Sequence, residues 1–377
     1  MKMSFAEILK KEEETRAKKT ALKIPAWSEP GLHLEFPSSL CQEQCSSEAT
    51  ARFKASLIGR AGRIADLTGG LGVDCWAFSS IASKVLHNEM DGPLSAAVER
   101  NFARLGIRNV TFSRYEISPD NLEWLPELKS FRPDWIFLDP ARRDRNGRKV
   151  FLLEDCSPDL VGILPLLLEC TGNIMVKLSP IADLSMVASR LGESLESQFV
   201  ISLGGEVKEL LCILSPGHSG EPSVTVTELD PGKEFSFTFR KSEEAGAEAV
   251  FADGITPESF LAEPSSVMLK AGCFNLMSTR FGLEKLAPST HLFTADHIPP
   301  GSGNAFRWYR VLKTYDFGSA AFREVRKEFP AGNVTARNVP LTSDQLRARL
   351  GVREGDGIRI WGCTACGKKR ILVTANI

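Results

Sequence analysis

Hydrophobic positions follow two rhythms along this chain. Between residue 63 and about 215, short apolar runs alternate with amphipathic stretches. The runs at 63–67, 84–89, 110–112, 134–138 and 174–178 predict buried strands. The stretches at 73–82, 94–105, 158–169 and 181–191 predict helices. Such alternation argues for a parallel sheet with helices on both faces. Runs at 198–203 and 208–214 flank Gly204-Gly205-Glu206. That pattern predicts a hairpin, and so at least one antiparallel strand.

Outside this block the periodicity is weaker. Residues 1–55 read as polar and helical, broken at Pro30-Gly31 and Pro37, with a helix over 49–58 after Ser46-Ser47-Glu48. A boundary is expected at 216–220. Strands at 223–228 and 234–240 and a helix over 267–282 follow. The end of the chain predicts helices at 320–328 and 343–350 and a hairpin of 358–361 with 370–373. The expected segments are therefore 1–55, 56–216, 217–300 and 301–377.

Composition adds limits. A chain of 377 residues, 43% hydrophobic and 25% charged, has material for a large core. No run approaches the ~20 apolar residues of a membrane span. The N-terminus is charged throughout and lacks the apolar region of a secretory signal. A cytoplasmic protein without membrane contacts is expected. Nine cysteines at irregular spacing do not suggest a disulfide framework. Cys363-Thr-Ala-Cys366 stands without a second pair or histidines at ligand spacing, so no metal is expected.

The net charge of −1 conceals an asymmetry. Residues 206–300 hold 7 Lys/Arg against 14 Asp/Glu, whereas 301–377 hold 14 against 6, a net of +8. A basic block on a neutral chain fits either a polyanion-binding surface or a solvated face.

Three strand ends carry candidate chemistry. The first reads Asp66-Leu-Thr68-Gly69-Gly70-Leu-Gly72. Glycines let a ligand approach the backbone, and the next helix offers free N–H groups. The spacing is not that of a dinucleotide loop, and Asp66 would repel a pyrophosphate but suit an amino acid's ammonium. The second is Glu89-Met90-Asp91, about 20 residues on, where doubly wound folds place a ribose-binding carboxylate. The third is Asp139-Pro140-Ala141-Arg142, followed by a run with five cations in 142–149. That run fits a phosphate clamp or a solvated face. Lys177 and Ser179 close the next strand; Lys177 either serves the acceptor pocket or extends to solvent at the sheet edge.

Taken in order, these motifs, with Asn101 and Gly106 between them, resemble the class I S-adenosylmethionine (SAM)-dependent methyltransferases over about 63–215. The tail, with Gly332-Asn-Val-Thr-Ala-Arg337-Asn338-Val-Pro340, resembles bacterial methyltransferases that end in a THUMP-like domain. The resemblance implies an α/β fold: a Rossmann-like sheet, an N-terminal helical segment and C-terminal α+β domains. Of these, 217–300 would be ferredoxin-like and 301–377 THUMP-like. It implies that Asp66, Thr68, Gly69, Gly70, Gly72, Glu89, Met90 and Glu116 bind SAM, with Asp139 between donor and acceptor. Asp139, Pro140, Arg142 and Lys177 would serve the acceptor. Ala141 and Arg142 depart from the proline and aromatic of amine-methylating enzymes. Asp-Pro-Ala-Arg is closer to ring-carbon enzymes, which need a thiol; Cys156 is the nearest, or else a buried structural thiol.

Methyl transfer needs alignment more than covalent chemistry, which suits a chain without an evident catalytic histidine. The expected function is SAM-dependent methylation of RNA, either rRNA or tRNA. The alternatives are methylation of a protein or small molecule, a non-catalytic SAM-binding regulator, and a nicotinamide oxidoreductase.

Overall fold

The computed structural model describes residues 15, 18–29, 31–142 and 153–377. The cations expected at Arg143, Arg145, Arg148 and Lys149, and most of the helix expected near the N-terminus, lie outside the described residues. Two compact units emerge: Met1–Ile201 with Lys208–Pro222, and Ser202–Val207 with Ser223–Ile377.

The first unit is built on strands β1 (Ala61–Asp66), β2 (Ala82–Asn88), β3 (Val110–Ser113), β4 (Trp135–Leu138), β7 (Ile174–Leu178), β8 (Leu195–Leu203) and β9 (Glu206–Leu214). Their order is β8-β9-β7-β4-β1-β2-β3. β1 pairs in parallel with both β2 and β4, and β4 with β7, while β9 runs antiparallel to β7. Burial explains the strands: Ile64, Val85, Ile136, Ile174 and Val176 are fully enclosed, as both-face coverage of a parallel sheet requires. The antiparallel strand follows from Gly204 and Gly205, at φ +70° and +72°, which allow the tight turn into β9. Between β4 and β7 a short ladder joins β5 (Ala141–Arg142) to β6 (Cys156–Ser157).

From β1 the chain steps outward to β2 and β3, then returns to β4 on the other side. β1 and β4 thus flank a topological switch point, where open α/β sheets bind ligands beyond the carboxyl ends of their strands. Helices start where polar caps allow. Ser47 caps Glu48–Ile58 by accepting the Thr50 N–H, and Asp91 caps Gly92–Arg104 by accepting the Leu94 N–H.

The described part of residues 1–55 packs into this unit. Asn101, fully buried, accepts the Glu35 N–H at 2.7 Å and donates to the Glu35 carbonyl at 2.8 Å. Arg100 and Arg104 pair with the Glu35 carboxylate. Asn101 thus clamps the N-terminal segment to the helix Gly92–Arg104.

The second unit begins with the hairpin β10 (Ser223–Glu228) and β11 (Phe235–Arg240). Its sheet comprises β12 (Phe260–Pro264), β13 (Glu284–Lys285), β14 (Phe293–Ala295), β15 (Phe306–Asp316), β16 (Asn333–Arg337), β17 (Ile358–Ala365) and β18 (Lys368–Asn376). The order is β13-β14-β12-β15-β18-β17-β16. The strands of 260–295 and those of 306–376 therefore share one sheet, joined where β12 pairs with β15. The helix expected over 267–282 is two helices, Ser266–Ala271 and Phe274–Phe281, because Gly272 takes a left-handed φ of +71° and ends the first. Cys363 lies buried in β17 and Cys366 in the turn to β18, both free.

No helix among the described residues is long and apolar enough to cross a membrane. No group of three or more His, Cys, Asp or Glu among the described residues is arranged to hold a metal ion.

Candidate active site

A cleft of about 590 Å³ opens beyond the carboxyl ends of β1, β2, β4 and β7. One wall is the turn from β1 into the helix Val73–Ser79. Gly70 and Gly72 sit at φ +51° and +79°, where a side chain would be strained. A Cβ on Gly69 would strike the His87 ring, and one on Gly72 would lie 2.8 Å from Val98 Cγ1. The loop is glycine-rich because the protein presses on it from below, leaving its upper surface for a ligand. Glu89 faces it: Oε2 accepts the Gly70 N–H at 2.9 Å and Oε1 the Asp91 N–H at 2.8 Å. Each oxygen keeps capacity for a ligand hydroxyl.

Asp66 lies beneath this loop, 1% exposed. Oδ1 accepts the Thr68 N–H at 3.2 Å, while buried Oδ2 has no partner among the described residues. Burial, with the neighbouring Asp74 adding to it, pushes its carboxyl well above the usual range. A cation brought to this loop would relieve that deficit.

The other wall is the turn after β4. The Asp139 N–H donates to Thr68 Oγ1 at 2.6 Å, tying the two strand-end loops together. Lys177 Nζ donates to Asp139 Oδ2 at 2.5 Å and to Ser46 Oγ at 3.3 Å. Ser46 donates to Asp74 Oδ2 at 2.6 Å and accepts from Lys54 Nζ at 3.0 Å. Lys54 is completely buried, 2.9 Å from each Glu209 carboxylate oxygen and 3.0 Å from Asp74 Oδ1. Burial works against the Lys177 charge, but Asp139, Asp74 and Glu209 outweigh it, and the ammonium is held above its ordinary pKa. Asp74, despite burial, is held below the usual range by Lys54 and Lys177.

Thr68, Gly69, Gly70, Gly72, Glu89 and Met90 line the first half of the cleft, and Asp139, Pro140 and Lys177 the second. Lys177 is drawn inward to Asp139, not extended to solvent. Three expected residues stand differently. Asp66 supports the loop from below. Glu116 is exposed and off the wall, while its neighbours Tyr115 and Ile117 line it, because successive side chains of an extended segment point opposite ways. Arg142 contributes its backbone to β5, and its side chain lies outside the described set. Cys156 is buried and off the wall; Ser157 and Pro158 line that side.

The reading of the sequence missed Ser46, Lys54 and Glu209. Two of the three carried a signal: Lys54 interrupts the buried face Thr50-Ala51-Ala55, and Glu209 precedes the apolar run at 210–214. A charge in an apolar register implies a partner. Linear order does not reveal one 155 residues away.

Two predictions arise here. Glu89→Ala is expected to weaken SAM binding by ~1–3 kcal/mol in calorimetry, the cost of a lost charge-assisted pair. Unchanged affinity in a folded variant removes Glu89 from the site. The second concerns His87, fully buried under the glycine loop with neither ring nitrogen well hydrogen-bonded. Burial lowers its pKa from 6.5 to about 4. As pH falls below ~6.5 the unfolded chain takes up a proton that the folded ring refuses, so stability declines from pH ~6.5 to ~4, by up to about 3 kcal/mol. His87→Leu should lack that component. Parallel urea-midpoint profiles for wild type and variant across this window would refute it.

Comparison with known proteins agrees with this architecture. A family model described as a ferredoxin-like domain matches residues 260–301, and one described as THUMP domain-like matches 306–376. A Mycobacterium tuberculosis protein (strain CDC 1551 / Oshkosh), itself an uncharacterised S-adenosylmethionine-dependent methyltransferase, is 28% identical over 82% of this chain and 79% of its own length. Its counterpart in strain H37Rv matches equally. A crystal structure from Porphyromonas gingivalis W83, provisionally described as a methyltransferase, is 29% identical, with a TM-score of 0.84 over 97% of this chain and 89% of that one. The chain is thus a homologue of S-adenosylmethionine-dependent methyltransferases, with their Rossmann-like sheet in its first unit and a THUMP-like domain at its C-terminal end.

Proposed function

We propose that this cleft binds SAM along the glycine loop and transfers its methyl group to RNA held against Asp139 and Lys177. The observation that carries the reading is one cavity flanked by both half-sites, Gly70 with Glu89 and Asp139 with Lys177. When bound, SAM supplies an activated methyl on a sulfonium. The glycine loop accommodates the backbone of the methionine part, with the buried Asp66 carboxyl beneath it, and Glu89 takes the ribose hydroxyls. Asp139 and Pro140 orient the acceptor, and the tie through Thr68 keeps the halves in register.

RNA as acceptor is supported by the THUMP-like match and by the net +8 over 301–377. Deleting that segment is an unsuitable test, because it supplies β15 to β18 of the shared sheet. Charge reversal of the exposed Arg323, Lys327, Lys368 and Lys369 preserves the fold better. Calorimetry should show SAM binding without NAD binding. Filter binding of bulk RNA should weaken steeply with salt, since each neutralised phosphate releases counterion, and the fourfold reversal should flatten that slope. Salt-independent RNA binding would move the acceptor to a protein or metabolite.

A further inference from the structure

The acceptor wall presents a donor and an acceptor side by side. Asp139 uses Oδ2 for Lys177 and has no partner for Oδ1 among the described residues. Lys177 has three N–H groups. Among the described residues two are engaged, by Asp139 and by Ser46, and the side chain lines the cleft. Their mutual distance of 2.5 Å sets a carboxylate oxygen and an ammonium next to each other.

We propose that the methyl acceptor is a lactam ring nitrogen of a nucleobase: Asp139 accepts the ring N–H and Lys177 donates to the adjacent ring carbonyl. This rests on the methyl-transfer reading above and names its acceptor. A lactam carries N–H and C=O on neighbouring atoms of one edge, as do the Watson–Crick edges of guanine and uracil. Adenine and cytosine offer no ring N–H beside a carbonyl there. A peptide group fits poorly, because in its trans form N–H and C=O point opposite ways.

The supporting network has a purpose in this arrangement. An amine that titrated near neutrality could drift between base and donor. Ser46, Asp74, Lys54 and Glu209 surround Lys177 with buried, mutually satisfied groups that keep it an ammonium and fix its position. A fixed cation beside the carbonyl stabilises the negative charge that spreads onto that oxygen as the ring proton leaves. The proton passes to Asp139 and then to water. The N–CH3 bond forms as the S–CH3 bond breaks, and the S–CH3 electron pair stays on sulfur, leaving S-adenosylhomocysteine. No thiol adduct is needed, in keeping with Cys156 lying off the wall.

The test uses the full chain with radiolabelled SAM. Acceptors are RNA from cells lacking the gene, the homopolymers poly(U), poly(I), poly(A) and poly(C), and free GMP and UMP. Product nucleosides are identified by mass spectrometry, and S-adenosylhomocysteine binding is measured in parallel by calorimetry. Expected is methyl on a guanine or uracil ring nitrogen, and label in poly(U) or poly(I) but not in poly(A) or poly(C). Label in GMP or UMP instead of RNA would place the same chemistry on a free nucleotide. Lys177→Met should bind S-adenosylhomocysteine within a few-fold of wild type, lose roughly 100-fold or more in rate, and shift the rise of rate with pH upward. Lys177→Arg should recover part of the rate. Methyl on an exocyclic amine, a ring carbon, a ribose hydroxyl or a protein overturns the proposal, as does a Lys177→Met enzyme with an unshifted pH profile. Failure to bind S-adenosylhomocysteine would remove the methyl-transfer reading itself, and this proposal with it.

Discussion

Asp139→Ala is expected to reduce methyl transfer by at least roughly 100-fold while SAM affinity stays within a few-fold of wild type. Each tenfold loss corresponds to about 1.4 kcal/mol of lost transition-state stabilisation, and a single oriented carboxylate commonly supplies two or more such factors. The separation of effects follows from the geometry. The loop that would take SAM is held by Gly70, Glu89 and Thr68, whereas Asp139 projects from the other wall with one oxygen spare. On the proposed reading, its removal takes away the group that orients the acceptor and leaves the donor cradle intact. Single-turnover rates with saturating SAM, read beside calorimetric affinities, measure both quantities. A rate within a few-fold of wild type would sink the assignment. A parallel loss of SAM affinity would relocate Asp139 to the donor side. Asp139→Asn, which keeps the shape and loses the charge, should fall between wild type and alanine.

Lys54→Met should destabilise the protein by about 3–5 kcal/mol, the usual cost of leaving buried carboxylates without their cation. Lys54 is 0% exposed, and its removal strands Glu209, 2% exposed, together with Asp74. Replacing both members of the pair, Lys54→Met with Glu209→Met, should recover much of the loss, because a buried ion pair exchanged for packed apolar side chains is often neutral. Urea unfolding at neutral pH provides the measurement. A single variant within ~1 kcal/mol of wild type would show that water reaches this network. The same variant should disturb Lys177 through Ser46, so residual activity should fall further than the folded fraction does.

The sheet of the first unit was legible because its strands are buried on both faces. That condition forces near-continuous apolar runs, and the runs at 63–67, 134–138 and 174–178 overlap β1, β4 and β7. The positions of Glu89 and Asp139 at strand ends were legible for a related reason: each acid closes an apolar run, and both line the cleft. The second unit was harder. β15, Phe306-Arg-Trp-Tyr-Arg-Val-Leu-Lys-Thr-Tyr-Asp316, mixes cations into an apolar strand and bulges between Val311 and Lys313, which breaks the two-residue alternation. The continuous helix expected over 267–282 failed at Gly272, where the periodic apolar pattern outlasts the helix itself.

What the sequence determined by itself was local: which segments are buried, where helices are capped, and which loops require glycine. These properties depend on neighbours within a few residues, and the chain states them directly. The tertiary structure alone decided the buried network behind Asp139 and Lys177. Ser46, Lys54, Asp74, Asp139, Lys177 and Glu209 come from separate elements spread over more than 160 positions and meet only when the sheet places β4, β7 and β9 side by side. Electrostatic pairing is short-ranged in space and indifferent to sequence distance. Whether Lys177 is a solvated lysine or a fixed ammonium, and whether Glu116 faces the cleft or the solvent, was therefore decided by the fold.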